Sequence, residues 1–228
     1  MKLLVGCPVS NRSWILDDWF KHVVAAAKDY ELEFIFLIPE MDIEDLAILD
    51  NYTDYTRHLI ISDEDSYVNR SWNGERYEVM ANLRNNLLDG VRQIEPDLFL
   101  SLDSDILLHP DGISNLIETY QNNDCIAVGG KTYLDFTSKF YPSYSKWTGQ
   151  TYHRPDFSGI MQVDILMAIK LMGPDAWSID YQMHRNGEDF GWSVEAAKHG
   201  RLMWDGRITN KHVMRPEDKD KIDPRCGF

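Results

Sequence analysis

Cysteine is scarce in this chain. Cys7, Cys125 and Cys226 are the only three among 228 residues, odd in number and far apart. That excludes a disulfide framework and a thiolate zinc site, and it points to a reducing compartment. Long apolar runs are also missing. Nothing approaches the ~20 residues of a membrane span. "LVGC" ending at Cys7 matches the short motif before a lipidated bacterial cysteine. Yet Leu3, Leu4 and Val5 fall short of the roughly 7 to 15 apolar residues a signal sequence needs. A soluble, cytoplasmic protein is expected. Positive charge is in short supply too: 23 Lys and Arg against 37 Asp and Glu give a formal charge of -14. That argues against a general nucleic-acid or membrane-surface binder, both of which need a basic face. No internal repeat, low-complexity tract or linker is visible.

What is present is an alternation of short apolar runs and helical patterns, the signature of an α/β sheet with crossover helices. "KLLVGC" reads as a first strand, followed by a helix with Trp19, Phe20, Val23, Val24 and Ala27 on one face. "ELEFIFLI" and "RHLIIS" are the next strands. A helix over Glu75–Ile94 carries Tyr77, Met80, Leu87, Val91 and Ile94 at helical spacing before Pro96 stops it. "DLFLSLD" follows as a strand, then a short helix (Ile113, Leu116, Ile117, Tyr120) and "CIAVGG". Later, "GIMQVDILMAIK" is apolar, "GEDFGWSVEAAKHG" reads as a helix closed by Gly200, and "RLMWDGRI" is strand-like before "TNKHVM". The expected fold is one α/β domain over 1–215, with a mostly parallel sheet flanked by helices. Residues 216–228 form a charged tail, expected to be loosely held.

Asp-x-Asp occurs three times: Asp63/Asp65, Asp103/Asp105 and Asp218/Asp220. In so acidic a chain only context separates them. The tail pair lies in a solvated charge run. The middle pair ends an apolar strand, where open α/β sheets place their ligands. A buried carboxylate needs a positive partner. Two carboxylates there suit a hard divalent cation, Mg²⁺ or Mn²⁺, with positions left for phosphate oxygens. The competing reading makes them helix caps or turn formers.

"LSLDSDILL" resembles the Asp-x-Asp segment of nucleotide-sugar glycosyltransferases of the GT-A fold, closest to the inverting family-2-like enzymes. The resemblance implies that Asp103, Ser104 and Asp105 meet the nucleotide-sugar and that Asp103 and Asp105 hold the metal. Four further segments follow in the family's order. "GCPVSNRSWILDDWF" is similar to its first strand and nucleotide loop, implying donor contacts at Pro8, Val9 and Arg12. "MANLRNNLL" is similar to its Ala-Arg-Asn helix, implying that Arg84 reaches the diphosphate, since a guanidinium fork matches oxyanions. A helix-face pair with Asp89 or Glu78 competes for Arg84. "GEDFGWSVEAAKHG" resembles the Glu-Asp helix start, which makes Asp189, beside Glu188, the base that deprotonates an acceptor hydroxyl. A plain acidic first turn competes. "TNKHVM" places His212 where the family's late metal-ligand histidine stands. "ISDED" offers Asp63 or Asp65 to the nucleoside, and Asp65 is taken as the donor contact. The family pattern divides the chain into a nucleotide-binding half, 1–108, and an acceptor and catalytic half, 109–215. The fungal mannan-polymerase transferases share the acidic pair and late His and retain configuration, so inversion is a preference.

The acceptor, a glycan, a small molecule or a modified nucleic-acid base, is not specified. Tyr133, Phe136, Phe140, Tyr141, Tyr144, Trp147 and Tyr152 crowd one irregular segment together with Lys131, Lys139, Lys146, His153 and Arg154. This segment either lines an acceptor cleft or packs as a satellite core. Two rivals remain: a non-catalytic nucleotide-sugar-binding module of the same fold, and a metal-dependent phosphohydrolase. The phosphohydrolase pattern wants its Asp-x-Asp at the first strand. A pyrophosphorylase would want a Gly-rich basic loop there, and "GCPVSNRS" is neither.

Overall fold

The computed structural model describes residues 1–62, 74–133 and 143–227. Asp63, Asp65, Phe136, Lys139, Phe140 and Tyr141 lie outside the described residues. In chain order the elements are β1 (Lys2–Pro8), α1 (Ser13–Ala26), β2 (Glu31–Pro39), α2 (Ile43–Leu49), β3 (Thr56–Ser62), α3 (Gly74–Ile94), β4 (Leu98–Leu102), β5 (Ile106–Leu107), α4 (Gly112–Asn122) and β6 (Ala127–Lys131). After them come β7 (Tyr144–Trp147), β8 (Tyr152–His153), β9 (Ile160–Val163), β10 (Ile165–Leu166), β11 (Ile169–Met172), α5 (Pro174–Trp177), α6 (Glu188–Ala196), β12 (Leu202–Thr209) and β13 (Lys211–His212).

One eight-stranded sheet, ordered β3-β2-β1-β4-β11-β6-β12-β9, runs through the molecule. Strands β3, β2, β1 and β4 are parallel, as crossover helices require. Strand β11 is inserted antiparallel between β4 and β6, and β12 then pairs parallel with β6. The expected mostly parallel α/β sheet is therefore present, with β11 and the edge strand β9 reversed.

Covered on both faces, the central strands are apolar at nearly every position, which is why they read as continuous runs rather than alternations. Leu3, Val5 and Cys7 of β1 join Trp19, Phe20, Ile113 and Leu116 in one core, while Leu4 faces a second core with Leu87, Val91, Trp192 and Trp204. Helices α1 and α4 cover the first face and α3 and α6 the second. Tyr144 is fully buried against Trp204, with ring centroids 4.2 Å apart, so this part of the aromatic segment is core.

Three local expectations differ from the structure. The apolar run "GIMQVDILMAIK" is β9, β10 and β11, split at Asp164 and at Ala168, whose φ of +63° turns the chain into a different sheet. Gly200 is not a left-handed helix cap; a Cβ there would lie 2.4 Å from Ile126, so close packing on β6's entrance demands glycine. The C-terminal segment is tied down: Lys219 Nζ lies 2.9 Å from both Trp14 O and Asp18 Oδ2, and the Arg225 guanidinium sits 4.1 Å over the Tyr133 ring.

Candidate active site

Asp103 and Asp105 sit just past the carboxyl end of β4 in a tight turn. The Asp103 N–H donates to Ala168 O, the Ile106 N–H donates to Asp103 O, and Trp19 Nε1–H donates to the same carbonyl, all at 3.1 Å. The turn leads into β5, which pairs antiparallel with β13 so that His212 faces Ile106, while the Val213 N–H donates to Asp105 O at 2.8 Å. That short ladder carries the late histidine onto the motif: His212 Nε2 lies 3.3 Å from Asp105 Oδ1, and Nδ1 lies 2.9 Å from Tyr133 O. A carbonyl only accepts, so Nδ1 keeps its proton, and Nε2 is the atom that gains or loses one.

Arg12 reaches the same turn from the start of α1. Its Nε donates to Ser104 Oγ at 3.2 Å and its Nη2 to Asp105 Oδ2 at 3.0 Å. The loop that aims it is held from α2. Asn11, at φ +53°, donates its N–H to Asp42 Oδ2 at 2.6 Å, and the Arg12 N–H donates to both oxygens of Asp45 at 3.1 and 2.9 Å. Asn tolerates the left-handed region better than most residues. Asp45 is fully buried, and burial together with neighbouring Asp42 pushes its carboxyl up to about 7 despite the Arg12 N–H. Half-buried Pro8 stands at the end of β1. The Val9 side chain is buried in the core and its N–H donates to Leu37 O at 2.8 Å.

Arg84 is buried and does not pair along its own helix; Asp89 is taken by Arg92 instead. Its Nη2 donates to Asp103 Oδ1 at 2.9 Å and its Nε to Glu188 Oε1 at 3.3 Å. It thereby bridges the end of β4 to the start of α6. Gly187 precedes that helix at φ +113°, and a Cβ on Gly191 would lie 1.9 Å from Gln182 O, so glycine lets α6 seat against its preceding loop. Asp189 accepts from Lys170 Nζ at 2.5 Å and from the Ala168 N–H at 3.3 Å. Ala168 thus spans the two motifs, its carbonyl on the Asp103 amide and its amide on the Asp189 carboxylate.

Lys170, fully buried on β11 and near the rings of Tyr181 and Trp192, is the residue the sequence reading missed. One lysine inside the apolar run "DILMAIKLM" was the available signal, because a buried ammonium needs a counter-charge.

The four carboxylates are matched by Arg12, Arg84, Lys170 and His212. Burial alone would raise Asp105 and Asp189, but His212 and Arg12 hold Asp105, and Lys170 and Arg84 hold Asp189, below the usual carboxylate value. Glu188 moves the other way, raised by burial and by Asp189 beside it. His212 is raised because Asp105 outweighs its burial. The donor chemistry of Asp103, Asp105 and His212, hard carboxylate oxygens plus one imidazole nitrogen with a fixed proton opposite, fits Mn²⁺. An ion there would take the place of cations now facing Asp105. Among the described residues, no three His, Cys, Asp or Glu side chains are gathered as a ready metal cage.

No protein-family model and no curated protein sequence matches the chain. Solved structures do. S. aureus TarS 1-349 in complex with UDP superposes with a TM-score of 0.66 at 14% identity, over 96% of this chain and 62% of that one. The mannosyltransferase PcManGT from Pyrobaculum calidifontis, in complex with GDP-Man and Mn²⁺, gives 0.63 at 11% identity, over 93% and 57%. Glucosyl-3-phosphoglycerate synthase from Mycobacterium tuberculosis, in complex with Mn²⁺, UDP and phosphoglyceric acid, gives 0.54 at 12% identity, over 96% and 72%. The fold is that of the GT-A glycosyltransferases. This chain spans about three-fifths of the length of the first two. Among the described residues, no helix is long and apolar enough to cross a membrane.

Proposed function

We propose that the protein is a metal-dependent glycosyltransferase that moves a sugar from a nucleotide-diphosphate donor to an acceptor hydroxyl, with inversion. The observation that carries this reading is the meeting of the Asp103–Ser104–Asp105 turn, His212, Arg84 and the Glu188–Asp189 helix start at one sheet edge. That edge is where α/β sheets bind nucleotides. Asp103, Asp105 and His212 would hold Mn²⁺ or Mg²⁺, which supplies charge neutralisation at the departing diphosphate. Arg12 and Arg84 bind diphosphate oxygens, while Pro8, Val9 and Ser104 shape the nucleoside side together with Asp65. Asp189 takes the acceptor proton. Because Lys170 keeps it ionised, its carboxylate is ready to accept without waiting for an acidic group to titrate. Glu188 fixes Arg84.

Calorimetry with UDP, GDP and their sugars, with and without Mn²⁺, tests the reading. Metal-dependent binding by the wild type, weakened about a hundredfold in Asp105→Ala, is expected; metal-independent, equal binding by both proteins would remove the reading. The Lys170–Asp189 contact favours one alternative, a nucleotide-sugar-binding module in which Asp189 is only a structural counter-ion. Donor binding without metal-dependent release of free sugar, in Asp189 variant and wild type alike, is its signature. A cytoplasmic site of action belongs to the same proposal.

A further inference from the structure

Near the C-terminus the chain closes into a turn around a buried acid, Asp223. The Arg225 N–H donates to Asp223 Oδ1 at 3.0 Å and the Gly227 N–H to Asp223 O at 2.9 Å. The Arg225 side chain then folds back on the same carboxylate, its Nε donating to Oδ1 at 2.9 Å and its Nη2 to Oδ2 at 2.8 Å. A carboxylate that takes a guanidinium on both oxygens fixes its orientation. The guanidinium so held stands 4.1 Å over the ring of Tyr133.

Tyr133 is gripped at two places. Its phenol donates to Asp156 Oδ2 at 2.9 Å, and Asp156 Oδ1 lies 2.6 Å from Lys131 Nζ. Arg225 covers its face. The backbone leading to it is tied as well: the Asn210 N–H donates to Lys131 O at 2.8 Å, and Thr132 Oγ1 donates to Asn210 O at 3.1 Å. What all this steadies is one carbonyl. Tyr133 O accepts the Nδ1–H of His212 at 2.9 Å, while His212 Nε2 faces Asp105. In metal sites the group that takes the second ring proton of a histidine sets its tautomer and its aim, and losing that group typically costs 10–100-fold in metal affinity. A pinned ring limits the rotation of the backbone that carries it, so the side chain over Tyr133 acts on the direction of its carbonyl.

We propose that Arg225 is a positioning residue of the candidate metal site: by clamping the Tyr133 ring it fixes the carbonyl that orients His212. The proposal rests on the metal-dependent reading for the role of His212 as a ligand, and on the contacts alone for the orientation of its ring. Charge and shape both matter at the clamp. A lysine supplies the cation over the ring but neither the flat stacking surface nor the two-pronged hold on Asp223.

Two measurements test it. In metal-free protein labelled with ¹⁵N-histidine, NMR observes the His212 Nδ1–H proton directly, and electron paramagnetic resonance of free Mn²⁺ gives the affinity for the ion. Both would be made on wild type, Arg225→Ala, Arg225→Lys, Tyr133→Leu, the double variant Arg225→Ala/Tyr133→Leu and Lys221→Ala, at a temperature well below every melting transition so that lost folding is not read as lost orientation. Lys221 is exposed on the same segment and pairs with Asp218 at 2.7 Å, so its variant should behave as wild type. The wild type should show a sharp, slowly exchanging Nδ1–H resonance. In Arg225→Ala that resonance should broaden or vanish through exchange with water, and Mn²⁺ should bind about tenfold or more weakly. Arg225→Lys should keep part of both. The double variant should lose no more than Tyr133→Leu, because the two side chains act as one unit. Losses that add, a resonance unchanged in Arg225→Ala or absent from the wild type, or an equal loss in Lys221→Ala would overturn the proposal. The two ideas fail separately. A wild type that binds no Mn²⁺, with the resonance still lost in Arg225→Ala, would defeat the metal-dependent reading alone; Mn²⁺ bound equally well by wild type and Arg225→Ala would defeat the positioning role alone.

Discussion

Lys170 and Asp189 form a contact in which each side chain makes the other tolerable. A fully buried ammonium and a nearly buried carboxylate, 2.5 Å apart, are costly singly and acceptable together. Lys170→Met should therefore leave Asp189 as an uncompensated charge and cost about 3–5 kcal/mol at neutral pH. The sign with pH follows from the depressed Asp189 carboxyl. In the wild type its contribution is present above the unfolded carboxyl value and is lost as pH falls through the folded one. In Lys170→Met the carboxyl rises instead, so the penalty shrinks on acidification as Asp189 takes up a proton. Denaturant melts at neutral and acidic pH measure this. If Asp189 is the base, the acid limb of the transfer rate should move to higher pH in the same variant, whereas a purely structural counter-ion would leave that limb where it was.

Between elements, α2 is tied to the start of α1 through a buried carboxylate. Asp45 reaches from the first turn of α2 to the amide that opens α1, and its carboxyl stands near 7. A raised carboxyl means that the folded protein binds a proton more tightly than the unfolded chain, so stability falls as pH rises between about 4 and 7. The whole effect is on the order of 4 kcal/mol at most. Asp45→Asn keeps one oxygen acceptor for Arg12 and has no proton to lose, so its melting temperature should vary less across that interval than the wild type's. An equal fall in both proteins would show that another group is responsible.

The same scale shows what could be read from the sequence. Strand β4 was legible because continuous apolar character ended on two acids, and α3 because its apolar residues recur at helical spacing. The strands β5 and β13 were not, because two residues carry no period, yet their ladder is what seats His212 on Asp105. The splitting of "GIMQVDILMAIK" was hidden as well. It turns at Ala168, and alanine gives no local sign of a left-handed backbone; the carbonyl and amide contacts to Asp103 and Asp189 hold it there. Of the site, the acids and Arg84 stood out as residue types in context. Lys170 showed only as a lone lysine in an apolar run and Asp45 not at all, because their partners are distant in sequence and pairing is a property of the closed fold.

Over the whole molecule, charge is partitioned rather than spread. Among the described residues the candidate site is internally balanced, its four carboxylates facing Arg12, Arg84, Lys170 and His212.

The reversed strand at the centre of the sheet has a consequence for how the chain is made. Until residues 169–172 emerge, β4 has only β1 beside it and offers a bare flank of amides and carbonyls, and β6 has neither of its final neighbours. Growing chains of intermediate length are thus exposed to sticking edge to edge. Fragments ending at Lys131 should collect in the pellet on expression, while chains extended past His212 should stay in the supernatant; the single late-arriving β11 acts as the clasp that closes one half on the other.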